Sequence, residues 1–164
     1  MKKDSATSCL GIESCAWKLY IDGAARNNPG PAGAGIFLTS CNQVIIRRGF
    51  YLGSTTNNQA EYMALILGLF YSLACFSIND KVCIISDSLL LVKQMRGEYK
   101  IRNPELLILS KIANSLLQGY NITFIHVLRE FNKEADELAN IGIDNHVTLP
   151  KEFLTFMRDY DIRF

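Results

Sequence analysis

Residues 17–35 read WKLYIDGAARNNPGPAGAG, and this stretch indicates how the chain begins to fold. Trp17, Leu19 and Ile21 alternate with more polar residues as far as Asp22, which is the period-two pattern of a β-strand. The segment from Gly23 to Gly35 is rich in Gly, Ala, Asn and Pro, so we expect it to turn the chain.

The rest of the chain predicts further strands and then helices alternating with strands. Strands at 35–39 and 44–52 would complete an antiparallel meander. Downstream we expect a helix from the capping residues 55–58 to about 76, a strand at 81–86, helices at 87–95 and 103–119, a strand at 121–128 and a helix at 132–141. The order β-β-β-α-β-α-α-β-α predicts an α/β fold. Its five-stranded mixed sheet would have three antiparallel strands, then two parallel strands, flanked by helices.

Composition limits the classes of protein that this chain can belong to. Of its 164 residues, 49% are hydrophobic and 20% charged, which is typical of one globular domain. The net charge is only +1, so any nucleic-acid binding must come from local placement of charge. We expect a flexible lead-in at 1–14, a folded domain at 15–145 and an amphipathic tail at 146–164 that packs on the domain or touches a partner.

No segment predicts export or membrane insertion. The start of the chain lacks the apolar run of a signal peptide, and the uncharged stretch 62–78 reads as a buried core helix. We therefore expect a soluble, cytoplasmic monomer. The odd number of cysteines and the lack of a CxxC spacing predict reduced thiols, mostly buried, and no zinc site. These cysteines are Cys9, Cys15, Cys41, Cys75 and Cys83.

Four acidic residues fall where predicted elements begin or end. They are Asp22, Glu61, Asp87 and Asp136. Carboxylates brought together at such junctions repel one another, so either their pKa values rise or they need a cation. Oxygen ligands without nearby histidine favour Mg²⁺ or Mn²⁺. Two such ions could clamp the attacking and leaving oxygens of a phosphodiester.

Each acid also has an ordinary structural interpretation. Asp22 could belong to an Asp-Gly turn, and Glu61 could form a capping box with Asn58. Asp87 could be a helix N-cap, and Asp136 could be a solvated acid in a first helical turn.

The sequences around these acids resemble the ribonuclease H type I family at four places. The matching stretches are YIDGAARNNPGPAG at 20–33, TNNQAE at 56–61, ISDS at 85–88 and REFNKEADELA at 129–139. They follow the family's order and spacing over about residues 16–142. The resemblance implies the ribonuclease H-like fold and hydrolysis of the RNA strand of RNA/DNA hybrids, giving 5′-phosphate and 3′-hydroxyl products.

The resemblance also assigns roles to individual residues. Asp22 would bridge two Mg²⁺ ions, for which Mn²⁺ could substitute. Glu61 and Asp87 would complete one site, and Asp136 would help to hold the other.

The same resemblance implies how the hybrid is bound. Asn28, Asn57 and Asn58 match positions that contact the minor groove, and Thr56 matches a contact to a DNA phosphate. Their alternative roles are helix capping and turn formation. A second hypothesis is a nuclease of the same fold that acts on double-stranded RNA or on other substrates, as a transposase or resolvase would. A binding module that has lost catalysis is a third, although all four acids are present.

The chain departs from the family pattern in three places. Residues 95–102 contain basic residues but no tryptophan-bearing protrusion, which resembles the archaeal and plant-like branch. Leu89 stands where some members carry a polar base contact. The loop before Asp136 lacks the histidine of many members and carries Arg129 instead. We hypothesise that Arg129 handles charge near the scissile phosphate or product.

Overall fold

The computed structural model describes residues 11–162, and within them one mixed sheet organises the fold. Its strands lie side by side in the order β3-β2-β1-β4-β5. The first three strands are antiparallel, whereas β4 is parallel to both β1 and β5, as the sequence predicts. The strands are β1 (Trp17–Ala25), β2 (Gly30–Ser40), β3 (Gln43–Thr55), β4 (Lys81–Ser86) and β5 (Asn121–His126).

The helices follow the predicted order and add one at the end. They are α1 (Asn57–Ser72), α2 (Leu89–Met95), α3 (Pro104–Leu117), α4 (Lys133–Asp144) and α5 (Lys151–Arg158). Short 3₁₀ turns at Leu73–Cys75 and Arg129–Phe131 follow α1 and precede α4. Among residues 11–162, no helix combines the length and apolar character needed to cross a bilayer.

The two faces of the sheet are covered by different helices. Leu19 and Ile21 of β1 are fully buried and meet α1 at Gly68. Alternate residues of a strand point to opposite faces, so Asp22 points away from α1. Its partner across the ladder is Gly35, whose backbone contacts α4. The side chain of Asp22 therefore projects to the α4 side of the sheet.

The predicted turn from Gly23 to Gly35 is wrong in extent, because most of this segment forms strands. Only residues 26–29 lie between β1 and β2, and they include a cis Asn28–Pro29 bond. The glycines serve close packing: a Cβ on Gly35 would lie 1.9 Å from the Ala135 carbonyl oxygen of α4. A glycine-rich segment usually indicates a turn. Here the glycines are required because a helix packs closely against the strand backbone.

The predicted set of reduced cysteines is also wrong, because Cys15 and Cys83 form a disulfide. The Ala16 amide donates to the Lys81 carbonyl, which aligns the residue before β1 with β4. The two Cα atoms are 5.9 Å apart, within the range that a disulfide spans. Cys41 is an exposed free thiol and Cys75 a half-buried one, while Cys9 lies outside the described residues.

Both ends of the described chain pack against the sheet or its helices. Residues 11–13 form a helical turn, and Ile12 packs against the buried cluster of Cys83, Ile85 and Ile125. The predicted flexible lead-in otherwise lies outside the described residues. At the other end, Phe153 and Met157 of α5 are fully buried, so α5 packs on the domain. The proposed domain boundaries themselves stay a prediction.

We expect that Cys15→Ser lowers the free energy of unfolding by about 2–4 kcal/mol, since the disulfide closes a loop with a sequence separation of 68. The measurement is chemical denaturation of the oxidised protein, with Cys41→Ser as a control that removes only an exposed free thiol. Reductant should destabilise the parent protein and leave Cys15→Ser unaffected. Equal stability of the parent protein with and without reductant would contradict the linkage.

Candidate active site

Three of the four predicted acids meet at one edge of the sheet. Asp22 lies in β1, and Asp87 follows β4 directly. Because β1 and β4 are parallel and pair as far as Tyr20 and Ile85, Asp22 and Asp87 lie level with one another. Glu61 reaches the same place from α1. One carboxylate oxygen from each of the three acids lies within 4.8 Å of the others.

Gly23 allows Glu61 to come this close. A Cβ on Gly23 would lie 2.1 Å from backbone atoms of Ala60 and Glu61, so a larger residue would push α1 away from β1. In this arrangement the Gly23 amide donates to Glu61 Oε2 over 3.2 Å. Glu61 and Asp22 are each only 5% exposed.

The cluster has an excess of buried negative charge. Burial raises the pKa of Asp22 to about 8, and the nearby Asp87 and Asp136 carboxylates add to that rise. Burial also raises the pKa of Glu61 well above its ordinary value, with further contributions from Asp22 and Asp87. A divalent cation would relieve both the desolvation and the repulsion. The all-oxygen donor set fits Mg²⁺ or Mn²⁺.

Asp136 lies beside this cluster rather than inside it. It occupies the first turn of α4, and Arg129 Nη2 donates to its Oδ1 over 2.5 Å. The hydrogen bond to Asp136 raises the pKa of Arg129, whose side chain is 74% exposed. The guanidinium is thus held at the mouth of the site. A cavity of about 370 Å³ is lined by Asp22, Glu61, Asp87 and Arg129, among others.

A hydrogen bond joins two of the predicted substrate-binding residues beside this cavity. Asn28 Oδ1 accepts from the Asn57 amide over 3.0 Å, and Asn57 Oδ1 accepts from the Ala25 amide over 3.2 Å. Both residues are exposed, and their Nδ2 groups donate no hydrogen bond to any atom of residues 11–162. Asn58 is exposed next to them. This edge therefore presents amide donors towards solvent.

The structure shows which residues cap the helices that carry or follow the predicted acids. Thr56 is the N-cap of α1 and forms a capping box with Gln59, so Asn58 and Glu61 do not form one. Ser88 rather than Asp87 is the N-cap of α2. Glu61 and Asp87 are thus free of the capping roles that could have explained them.

Residues at two of the departures from the family pattern, and both histidines of the chain, lie in ordinary surroundings. Arg96 of the 95–102 segment donates to the Phe124 carbonyl oxygen, so it anchors its loop. Leu89 begins α2 and is 45% exposed. His126 ends β5, and His146 packs against the ring of Tyr51 with 4.5 Å between centroids.

Sequence reasoning missed two residues that shape the site. Gly23 was assigned to a turn, although its lack of a side chain brings α1 to β1. Asn132 was treated only as the start of a helix, yet its side chain is 1% exposed and donates to Asp87. The available signal for Asn132 was its place within the fourth motif.

Comparison with known proteins agrees with this architecture. A family profile described as "Reverse transcriptase-like" matches residues 20–142. The crystal structure of RNase H1 from the archaeon Halobacterium salinarum superimposes with a TM-score of 0.74 at 37% identity, covering 79% of this chain and 98% of that one. LC11-RNase H1, solved in complex with an RNA/DNA hybrid, gives a TM-score of 0.75 at 36% identity, covering 79% and 97%.

Among curated sequences, the Ribonuclease HI of Halobacterium salinarum is 41% identical over 128 residues. The match covers 77% of this chain and 63% of that protein, so this chain spans less than two thirds of that relative's length. The family-profile match at residues 20–142 contains all four predicted acids and most of the sheet that brings three of them together. On this evidence the chain belongs to the ribonuclease H type I family.

Proposed function

We propose that this chain is an endonuclease that hydrolyses the RNA strand of RNA/DNA hybrids. The observation that carries the proposal is the Asp22–Glu61–Asp87 cluster, in which Asp22 and Glu61 are buried and Asp87 is half-buried. The cluster opens to a cavity that Asn57 also lines. The relatives named ribonuclease H, and the binding of a hybrid by LC11-RNase H1, support the same substrate.

The proposed cofactor is Mg²⁺, two ions per site, with Mn²⁺ able to substitute. Asp22, Glu61 and Asp87 would hold one ion, while Asp22 and Asp136 would hold the other. When bound, the two ions would supply an activated water and stabilise the leaving 3′ oxygen, so that the products carry 5′-phosphate and 3′-hydroxyl ends. The residues of the chain contribute position and compensating charge.

The substrate contacts that we propose follow from the exposed amides. Asn28 and Asn57 are fixed through their oxygens, which leaves their Nδ2 groups to donate to 2′-hydroxyls and minor-groove base acceptors. Asn58 would extend this row, and Thr56 would contact a DNA-strand phosphate next to the α1 N-terminus. The monomeric state and cytoplasmic location remain predictions.

The first test is cleavage of an end-labelled RNA/DNA hybrid in Mg²⁺, beside the same RNA as a single strand and as an RNA duplex. We expect cutting of the hybrid alone, abolished by EDTA and lowered at least 100-fold by Asp87→Asn, because the variant removes one anionic ligand. Cutting of the RNA duplex instead would favour a double-strand ribonuclease. No cutting by a folded protein in Mg²⁺ or Mn²⁺ would favour a binding module.

A second test follows from the raised pKa of Asp22. Its folded-state pKa of about 8 exceeds its ordinary value of 3.8, so the stability associated with its protonated form is lost as pH rises from about 4 to 8. Without metal, Asp22→Asn should raise the free energy of unfolding at pH 8 by an amount on the order of 1–2 kcal/mol, which corresponds to several degrees in melting temperature. At pH 4 the increase should be much smaller.

Asp159→Asn is the control for this second test, because it changes an exposed acid outside the site. Mg²⁺ should stabilise the parent protein at pH 8 and stabilise Asp22→Asn much less. A metal-free Asp22→Asn variant no more stable than its parent at pH 8 would contradict the assigned repulsion.

A third test concerns Arg129. If its guanidinium handles charge near the scissile phosphate or product, Arg129→Ala should lower turnover by about tenfold or more, and Arg129→Lys should recover part of that loss. Arg158→Ala, an exposed arginine of α5, is the control. Unchanged turnover in Arg129→Ala would eliminate this role.

A further inference from the structure

Asn132 joins the two strands that carry Asp22 and Asp87. Its Nδ2 group donates to the Ile21 carbonyl oxygen over 2.9 Å and to Asp87 Oδ1 over 3.0 Å. The residue is 1% exposed. Both hydrogens of one buried amide are therefore used, one on the β1 backbone and one on a carboxylate of the candidate active site.

This bridge lies where the backbone pairing between β1 and β4 has stopped. The paired residues run from Trp17 and Val82 to Tyr20 and Ile85. The next carbonyl of β1 belongs to Ile21, and it accepts from the side chain of Asn132. The amide thus continues the connection between the strands at the point where their acids must be held in place.

The backbone of Asn132 ties in the fourth acid as well. Its amide donates to the Arg129 carbonyl over 3.0 Å, and its carbonyl accepts from the Asp136 amide over 3.1 Å. Asn132 is consequently held by the 3₁₀ turn on one side and by α4 on the other. The segments that carry Asp22, Asp87 and Asp136 all meet at this residue.

The Asn132 side chain does not cap α4, although the residue stands at the N-cap position. Asn132 occupies the N-cap of α4, where an asparagine oxygen usually accepts from a first-turn amide. Here it makes no such bond, and its buried Oδ1 finds no partner among residues 11–162. Leaving a buried acceptor unsatisfied is unfavourable, so the orientation towards Asp87 is not explained by helix capping.

We propose that Asn132 is a positioning residue that orients the Asp87 carboxylate for the divalent cation. The inference rests on the proposed metal-dependent function. One oxygen of Asp87 is fixed by the amide, which limits rotation of the carboxylate and leaves the second oxygen for the cation. Mutation of a residue that hydrogen-bonds to a metal ligand typically lowers metal affinity 10–100-fold. The same range is expected here.

The test measures Mn²⁺ affinity directly in the full chain, from the EPR signal of free Mn²⁺. Asn132→Ala and Asn132→Ser each remove the side-chain amide without adding a charged group that could itself bind the cation. Both are expected to weaken Mn²⁺ binding at least tenfold, while saturating Mn²⁺ restores much of kcat. Asn114→Ala is the matched control, because among residues 11–162 the Asn114 side-chain amide bonds only to the Ser110 carbonyl within α3.

Unchanged Mn²⁺ affinity in either folded Asn132 variant would overturn the inference. If neither variant folds, ¹⁵N NMR of the unmodified protein decides: the Asn132 side-chain amide signals should shift on Mg²⁺ titration, and unshifted signals would overturn the inference. Failure of the proposed function appears differently. In that case the parent protein binds Mn²⁺ through the carboxylates, loses affinity in the Asn132 variants, and cuts no hybrid.

Discussion

The mutual repulsion of three clustered carboxylates, of which Asp22 and Glu61 are buried and Asp87 is half-buried, is the constraint on which the rest of this structure depends. Asp22, Glu61 and Asp87 bring ligand atoms within 4.8 Å of one another at a place where water cannot fully screen them. Such an arrangement is unfavourable unless a cation is bound or protons are taken up, as the raised pKa of Asp22 indicates. The fold must therefore hold these groups together against their own electrostatics.

The scaffold does this with elements that have little freedom to move. β4 lies between two parallel neighbours, and Val82 through Ile85 are almost fully buried. β1 is covered by α1 on the Leu19 and Ile21 side, where backbone approaches backbone at Gly23. The Cys15–Cys83 disulfide adds a covalent link between the segment just before β1 and strand β4. A dense core thus stabilises a site that is itself destabilising.

Much of the fold was predictable because it depends on local patterns. Alternation marked β1, the apolar run 81–86 marked a strand buried on both faces, and Asn103–Pro104 marked the start of α3. The four acids were identified by their position at element ends together with the family motifs. The roles of Asn28 and Asn57 in substrate binding stay a prediction, and the hydrogen bond that joins them links two segments that lie apart in the sequence.

The features that sequence reasoning missed are all set by tertiary contacts. A glycine such as Gly35 favours turns locally, and only the approach of α4 reveals why it lies in a strand. The Cys15–Cys83 pair depends on the alignment of β1 with β4, and the role of Asn132 depends on where that ladder ends.

The most direct test of the central claim is anomalous diffraction from crystals of the protein grown with Mn²⁺. Our account predicts an anomalous peak from a Mn²⁺ ion bound to oxygens of Asp22, Glu61 and Asp87. The peak should be absent when Asp22 is replaced by asparagine. Well-ordered crystals at millimolar Mn²⁺ and pH 8 with no peak at these carboxylates would contradict it.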